Sequence, residues 1–402
     1  MRWSARSLVL MLAAGARMFA ASDAAAFEAG PLTRERVAAA ARAAGFRVSA
    51  VSADIPAAIR PRFPFAAPDY DDPLLDRLRA EYRLDQVVAT PKDEWTKQLL
   101  LKDWVFRMIP GGDPRTHPKN AIDILKLAAQ GERFYCTYYA ITYSQCAQAL
   151  GWQARKIAVD RRHGPEGMGS THHGAVEIWS NQFRKWVVID AQSNLHFEKK
   201  GTPLSAWEIR AEWLRNKGAD VDHVVGAPPK TLKKNPAMVW PVPDEDEIAT
   251  YFWLAIDDAV PDGGALKRIF PQDQWNAGEV WYQNEDATGG GRIHIGYTKN
   301  LFIPTARIED AYWTVGVVET TVTEAAPGVI RMKLDSYCPN RSAHQMSVDG
   351  ASWVTLGGDN DLGWKLAPGW NTLRLRAMGK GGVTGPETAV VMHLEPSRGE
   401  ER

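Results

Sequence analysis

Cysteine is scarce: the chain has three, Cys136, Cys146 and Cys338, in 402 residues. An odd count excludes a complete disulfide framework and leaves at least one thiol free. A surplus of one charge is also missing, because 48 Lys and Arg balance 48 Asp and Glu. With no net field to attract a polyanion, the balance argues against a dedicated nucleic-acid binder. The one long apolar run, Ser7 to Ala14, is too short to span a bilayer, which excludes a polytopic membrane protein. Neither Cys-x-x-Cys nor His-Glu-x-x-His occurs, so His163, His172, His173 and Cys136 predict no metal, and no cofactor motif is present. Gly289-Gly290-Gly291 lacks the Lys-Ser/Thr of a phosphate loop and reads as a mobile turn.

What is present at the N-terminus reads as an address. Arg2 and Arg6 precede the apolar run, and the small residues Ala20 to Ala26 follow as a cleavage zone, so residues 1–26 are expected to be a signal peptide. No Cys lies there to accept a lipid. Export to the periplasm or beyond is the expectation, with no transmembrane span after signal removal. In an oxidising compartment a free thiol needs a reason. On one helix, Cys136 and Cys146 would stand roughly 15 Å apart, too far to bridge.

At about 150 residues per domain, the length allows two or three domains. Residues 27–90 mix Ala-rich helical pieces with Pro-rich connectors. Residues 91–225 carry the chemistry. Helical spacing covers Glu94 to Phe106, Asn120 to Gln130 and Cys136 to Leu150, the last stopped by Gly151. The period then switches to two, with strands at Ala154 to Val159, Gly174 to Trp179 and Lys185 to Ile189. Helices followed by an antiparallel sheet predict an α+β fold. Gly226 to Asp246 begins a linker and connecting segment over residues 226–290. Short strands and turn signals over 291–402 predict an all-β sandwich.

Cys136 falls where a helix begins, and the unpaired N–H groups and positive dipole end there favour a thiolate. His173 opens a strand that also puts Ala175, Glu177 and Trp179 on its face, and the return strand aligns Trp186, Val188 and Asp190. A two-residue turn at Asn181-Gln182 would set His173 directly opposite Asp190. A four-residue turn, Asn181 to Arg184, leaves them diagonal neighbours on the same face. A one-residue slip would separate them. A Cys at a helix start facing a His steadied by an Asp is the arrangement of a thiolate–imidazolium pair.

The segment from about Trp95 to Trp213 resembles the transglutaminase-like superfamily. The resemblance rests on Phe134-Tyr135-Cys136-Thr137-Tyr138-Tyr139-Ala140, on Ala149-Leu150-Gly151-Trp152-Gln153-Ala154-Arg155, on His173-Gly174-Ala175-Val176-Glu177-Ile178 and on Lys185-Trp186-Val187-Val188-Ile189-Asp190. It implies a papain-like core in which Cys136 is the nucleophile, His173 the acid/base and Asp190 the orienter, acting on amide bonds in a peptide, protein or peptidoglycan-like substrate. Ala175 and Phe134 depart from the family's usual aromatic and glycine at those places.

Secondary candidates follow. Trp104 on the upstream helix is a possible oxyanion or wall group by resemblance, with core packing the simpler reading. Asn194 and His196, just after Asp190, are candidates to extend the site. Sixteen Trp include Trp353, Trp364 and Trp370 late in the chain. Buried, they are sandwich core; exposed, they would stack on sugars and give the C-terminal part a polysaccharide contact. Leu366 to Ala377 resembles late strands of an immunoglobulin-like or fibronectin-like domain. The competing reading is a non-catalytic surface-binding protein that uses the papain-like core as a scaffold.

Overall fold

The computed structural model describes residues 27–62, 69–91, 93–160, 173–232, 247–251, 253–257, 267–271, 301–305 and 307–397. The expected signal peptide, His163, His172 and Gly289-Gly290-Gly291 lie outside them. Among the described residues no helix is long and apolar enough to cross a membrane.

The chain is α+β. A short strand, β1 (Gly30–Pro31), leads into α1 (Arg34–Ala43) and β2 (Phe46–Asp54). Helices α2 (Pro73–Glu81), α3 (Leu84–Val87), α4 (Glu94–Met108), α5 (Ala121–Ala129) and α6 (Cys136–Ala149) follow. Asp72, Asp93 and Asn120 cap α2, α4 and α5 through side-chain oxygens, since the first backbone N–H groups of a helix have no partner inside it. The N-cap of α6 is Tyr135, which makes no such bond. The first turn of α6 therefore opens without a capping side chain.

Beyond Gly151 come β3 (Ala154–Asp160), β4 (His173–Ser180), β5 (Lys185–Ile189), β6 (Leu195–Lys199), β7 (Thr202–Pro203), α7 (Ala206–Asn216), β8 (Asp222–Val225) and β9 (Lys230–Leu232). Then come β10 (Trp253–Asp257), β11 (Lys267–Pro271) and β12 (Leu301–Thr305). Six of these strands form one sheet in the order β12-β11-β10-β3-β4-β5. Helices α4, α5 and α6 bury Leu99, Val105, Ile124, Tyr143 and Cys146 against Val176, Ile178, Val187 and Ile189 on one face of that sheet. On the other face Ala175 and Val188 pack with Leu195, Phe197 and Ile209. Two apolar faces explain why β4 and β5 are buried almost throughout.

The C-terminal strands are β13 (Val318–Ala326), β14 (Val329–Ser336), β15 (Arg341–Val348), β16 (Val354–Thr355), β17 (Asp361–Lys365), β18 (Gly369–Gly379) and β19 (Thr388–Pro396). They form two sheets, β1-β13-β14-β17 and β16-β15-β18-β19-β2. Burial alternates along β14 and β18 with the two-residue period of a strand buried on one side. Ile330, Met332 and Trp364 meet Leu375, Val390 and Met392 between the sheets. This is the expected sandwich.

Three segment assignments differ from the sequence reading. Residues 27–54 are part of the sandwich: β1 and β2 pair with β13 and β19, and Val37, Ala40 and Ala41 of α1 join its core. β10 and β11, within the expected connecting segment, continue the helix-backed sheet, with Leu254 opposite Val159. β12, assigned by sequence to the sandwich, pairs in parallel with β11. The reason is common to all three: which edge a strand extends is decided by distant hydrogen-bonding partners. Of the late tryptophans only Trp364 is fully buried; Trp370 is 66% exposed, with its ring edge-on to His393.

Candidate active site

Local chemistry brings the Cys136 segment to its place. Phe134 donates its N–H to Pro110 O at 2.9 Å and accepts from Gly112 N at 3.0 Å, which docks the residues before α6 on the loop after α4. One turn into α6, the Tyr139 hydroxyl donates to Ile109 O at 2.6 Å. Phe134 is wholly buried, so the departure from glycine there is filled by core packing. Cys136 itself is half-buried and remains reachable.

The hairpin β4–β5 is pinned from α4. The Glu94 carboxylate accepts from the Asn181 N–H and side-chain amide, both at 2.7 Å. The turn is the four-residue alternative: Ser180 pairs with Lys185 and Val176 with Ile189. His173 and Asp190 are therefore diagonal neighbours on one face. His173 Nε2 lies 2.8 Å from Asp190 Oδ2. Asp190 is buried, and its Oδ1 accepts from Gln192 N at 2.9 Å and Ser193 N at 3.1 Å.

At the start of β4 the helix meets the strand. A methyl group on Gly174 would lie 3.5 Å from the backbone nitrogen of Thr137, so Cys136 and His173 flank a close approach of two backbones. His173 and Cys136 share a side-chain hydrogen bond. With Nε2 turned to Asp190, Nδ1 is the ring nitrogen left for the sulfur.

The electrostatics agree with this geometry. Burial works against the His173 cation, but the charge and hydrogen bond of Asp190, and then Cys136, lift its pKa well above the ordinary histidine value. Burial also opposes the Asp190 anion, yet the His173 charge, its hydrogen bond and the Ser193 N–H hold the carboxyl below the usual range. The other two thiols are held protonated: burial drives Cys146 far up and lifts Cys338 to about 11.

The secondary candidates are distributed differently. Trp104 packs edge-on to Tyr82 with the helical core; the core reading describes its surroundings. Asn194 donates to Asp103 Oδ1 at 2.8 Å, in a left-handed conformation (φ 52°) that closes the turn after Asp190. His196 is buried, with Nδ1 3.2 Å from Lys102 Nζ and Nε2 2.9 Å from Glu198 Oε1. Lys102 was missed from the sequence, although it recurs with Trp95, Gln98 and Val105 on the buried stripe of α4. A lysine at an apolar-stripe position was the available signal.

Among the described residues no group of three or more His, Cys, Asp and Glu is placed to hold a metal. A polar cleft of about 710 Å³ lies at the far end of α6, where Leu150 and Trp152 face Gly381, Val383 and Glu387 of the sandwich.

The class that this site defines is a cysteine–histidine–carboxylate constellation at a helix-on-sheet junction. No protein-family model and no curated protein matches the chain. Solved structures are weakly similar. A "Putative Cysteine Protease" from Cytophaga hutchinsonii is 16% identical, over 32% of this chain and 45% of that one, with TM-score 0.23. Red sea bream transglutaminase is 11% identical over 82% of this chain and 58% of its own, at TM-score 0.24. A "Putative Protease" from Parabacteroides distasonis is 11% identical over 88% and 64%, at 0.21. The chain spans less than two thirds of the length of each.

Proposed function

We propose that this protein is a transglutaminase-like cysteine hydrolase that cleaves, or transfers, an amide bond in a peptide or peptidoglycan-like substrate. The observation that carries the reading is the 2.8 Å contact between His173 and Asp190, with Cys136 as the other partner of the imidazole. A thiolate beside an imidazolium is the reactive form of a cysteine nucleophile.

The Cys136 thiolate attacks the carbonyl carbon, and an S–C bond forms while the carbonyl π electrons move onto oxygen. The C–N bond then breaks, and His173 passes its Nδ1 proton to the departing amine. A thioester and a neutral imidazole remain. In the second half His173 takes a proton from water, the hydroxide adds, and the S–C bond breaks to give the acid and restore the ion pair; an amine in place of water gives transfer. Asp190 fixes the ring so that Nδ1 faces the sulfur. The uncapped first turn of α6 offers backbone N–H groups to the oxyanion.

Export of the chain, with residues 1–26 removed, belongs to the same proposal and is tested by N-terminal sequencing of the mature protein. The central experiment incubates protein with peptide libraries and peptidoglycan fragments and follows products by mass spectrometry. Turnover abolished by Cys136→Ala supports the reading; turnover that survives it overturns the reading. A second role is favoured by the exposed Trp370 beside His393: the sandwich binds polysaccharide. A glycan pull-down that survives Cys136→Ala and fails for Trp370→Ala is the result it requires.

A further inference from the structure

Behind the proposed triad lies a buried row of charge that the reaction above does not use. Leu195 exchanges both backbone hydrogen bonds with Asp190, at 2.8 and 2.9 Å, so the next residue, His196, stands beside the carboxylate's turn. Its Nδ1 meets the Lys102 ammonium at 3.2 Å, and its Nε2 meets Glu198 at 2.9 Å. An ammonium has only donors, so Nδ1 accepts and the imidazole proton sits on Nε2, donated to Glu198. The Trp95 ring closes edge-on over His196, 5.2 Å between centroids.

We infer that Lys102 is a positioning residue of the active site: its buried ammonium, held by His196 one residue beyond the backbone partner of Asp190, sets the proton affinities of the Asp190–His173–Cys136 row. This rests on the reading of the site given above. The charged groups whose fields reach Lys102 are Asp103 on its own helix, Asp190 just after β5 and Glu198 on β6, and the side chain it touches is His196. Asp103 is engaged by Arg107 at 2.9 Å and by Asn194 at 2.8 Å, and Glu198 by His196, whereas Asp190 is shared with His173. Burial lowers Lys102 to about 7, against the pull of Asp190, Asp103 and Glu198, and burial with the Lys102 charge lowers His196 to about 4. Below about pH 7 the ammonium thus acts as a cation whose removal raises the pKa of the acids near it, and the neutral His196 acts as its mount.

The test is the pH profile of iodoacetamide alkylation at Cys136 in the full chain. It reports two steps, formation of the thiolate–imidazolium pair and loss of the His173 proton. Lys102→Gln keeps a donor for His196 without the charge, and it should move the acid-side step to higher pH by at least about half a unit, roughly a threefold loss of rate there, while the alkaline step, reached where Lys102 is already neutral, stays in place. Glu198→Gln, at a partly exposed position, removes a negative charge and should move both steps to lower pH. A merely structural lysine does not give acid-side shifts of opposite sense in the two variants. A wild-type profile with both steps that neither substitution shifts overturns the inference alone. A wild-type chain with no acid-side reactivity at Cys136 overturns the site reading and the inference with it.

Discussion

His173 Nε2 reaches Asp190 Oδ2 at 2.8 Å although the two residues are not directly opposed across β4 and β5. The four-residue turn leaves them diagonal, and the turn that follows Asp190 holds the carboxylate through the Gln192 and Ser193 N–H groups, so only one oxygen is free for the imidazole. An amide at this position would present an N–H donor to Nε2 or lose the backbone bonds. Asp190→Asn should therefore slow Cys136 alkylation at pH 6.5 by about tenfold or more, one pKa unit being a factor of ten. An unchanged rate would show that the carboxylate does not govern the pair.

The three thiols should respond very differently. At pH 6 to 7 iodoacetamide should modify Cys136 and leave Cys146 and Cys338 untouched, because burial holds Cys146 protonated and raises Cys338 to about 11. Peptide mapping after timed labelling reads this directly. Equal labelling of Cys338 would contradict the assignment.

Stability should carry the mark of the His173–Asp190 pair. A histidine raised above its unfolded value of about 6.5 stabilises the fold fully below that pH, and the contribution is lost as pH rises through the folded value. A carboxyl lowered in the fold contributes above its unfolded value of about 3.9 and is lost as pH falls through the folded one. The urea midpoint lost on His173→Gln should thus be greatest near pH 5 to 6 and shrink under alkaline conditions. A deficit that grows with pH would reverse the sign and exclude this origin.

Glu177 anchors the middle of β4. Its buried carboxylate accepts from Arg155 at 2.7 Å, from Ala206 N at 2.9 Å and from the Tyr312 hydroxyl at 3.0 Å. Glu177→Ala leaves the Arg155 cation buried without its carboxylate, which typically costs about 3–5 kcal/mol. Chemical unfolding should show a loss of that order; a loss below about 1 kcal/mol would mean that Arg155 finds other compensation.

Deleting residues 27–54 should unfold the sandwich. That segment supplies β2, paired with β19 from Phe46 to Asp54, and the buried Leu32, Val37 and Ala41. Limited proteolysis of the truncated chain should cut within residues 318–397, where the full chain is protected. Equal protection in both would show that the C-terminal strands close the core alone.

Much of the local structure could be read from side-chain pattern. Helical spacing located α4 and α6, Asn120 marked the start of α5, and period-two alternation gave β4 and β5 to within a residue. The choice between direct and diagonal pairing was not readable, because it depends on a turn fixed by Glu94, eighty-seven residues away from Asn181. Nor did composition separate Trp364, buried between two sheets, from Trp370, left in solvent.

The order of Cys136, His173 and Asp190, and the helix start and strand ends that carry them, follow from the sequence by itself, because hydrophobic periodicity and the point where it changes are local to a few residues. Only the tertiary structure decided that α1 and β2 complete the sandwich, that β10 to β12 extend the helix-backed sheet, and that Lys102 and His196 stand behind Asp190. Sheet edges and buried charges find partners across long stretches of chain, and a partner's distance in space leaves no trace in local pattern.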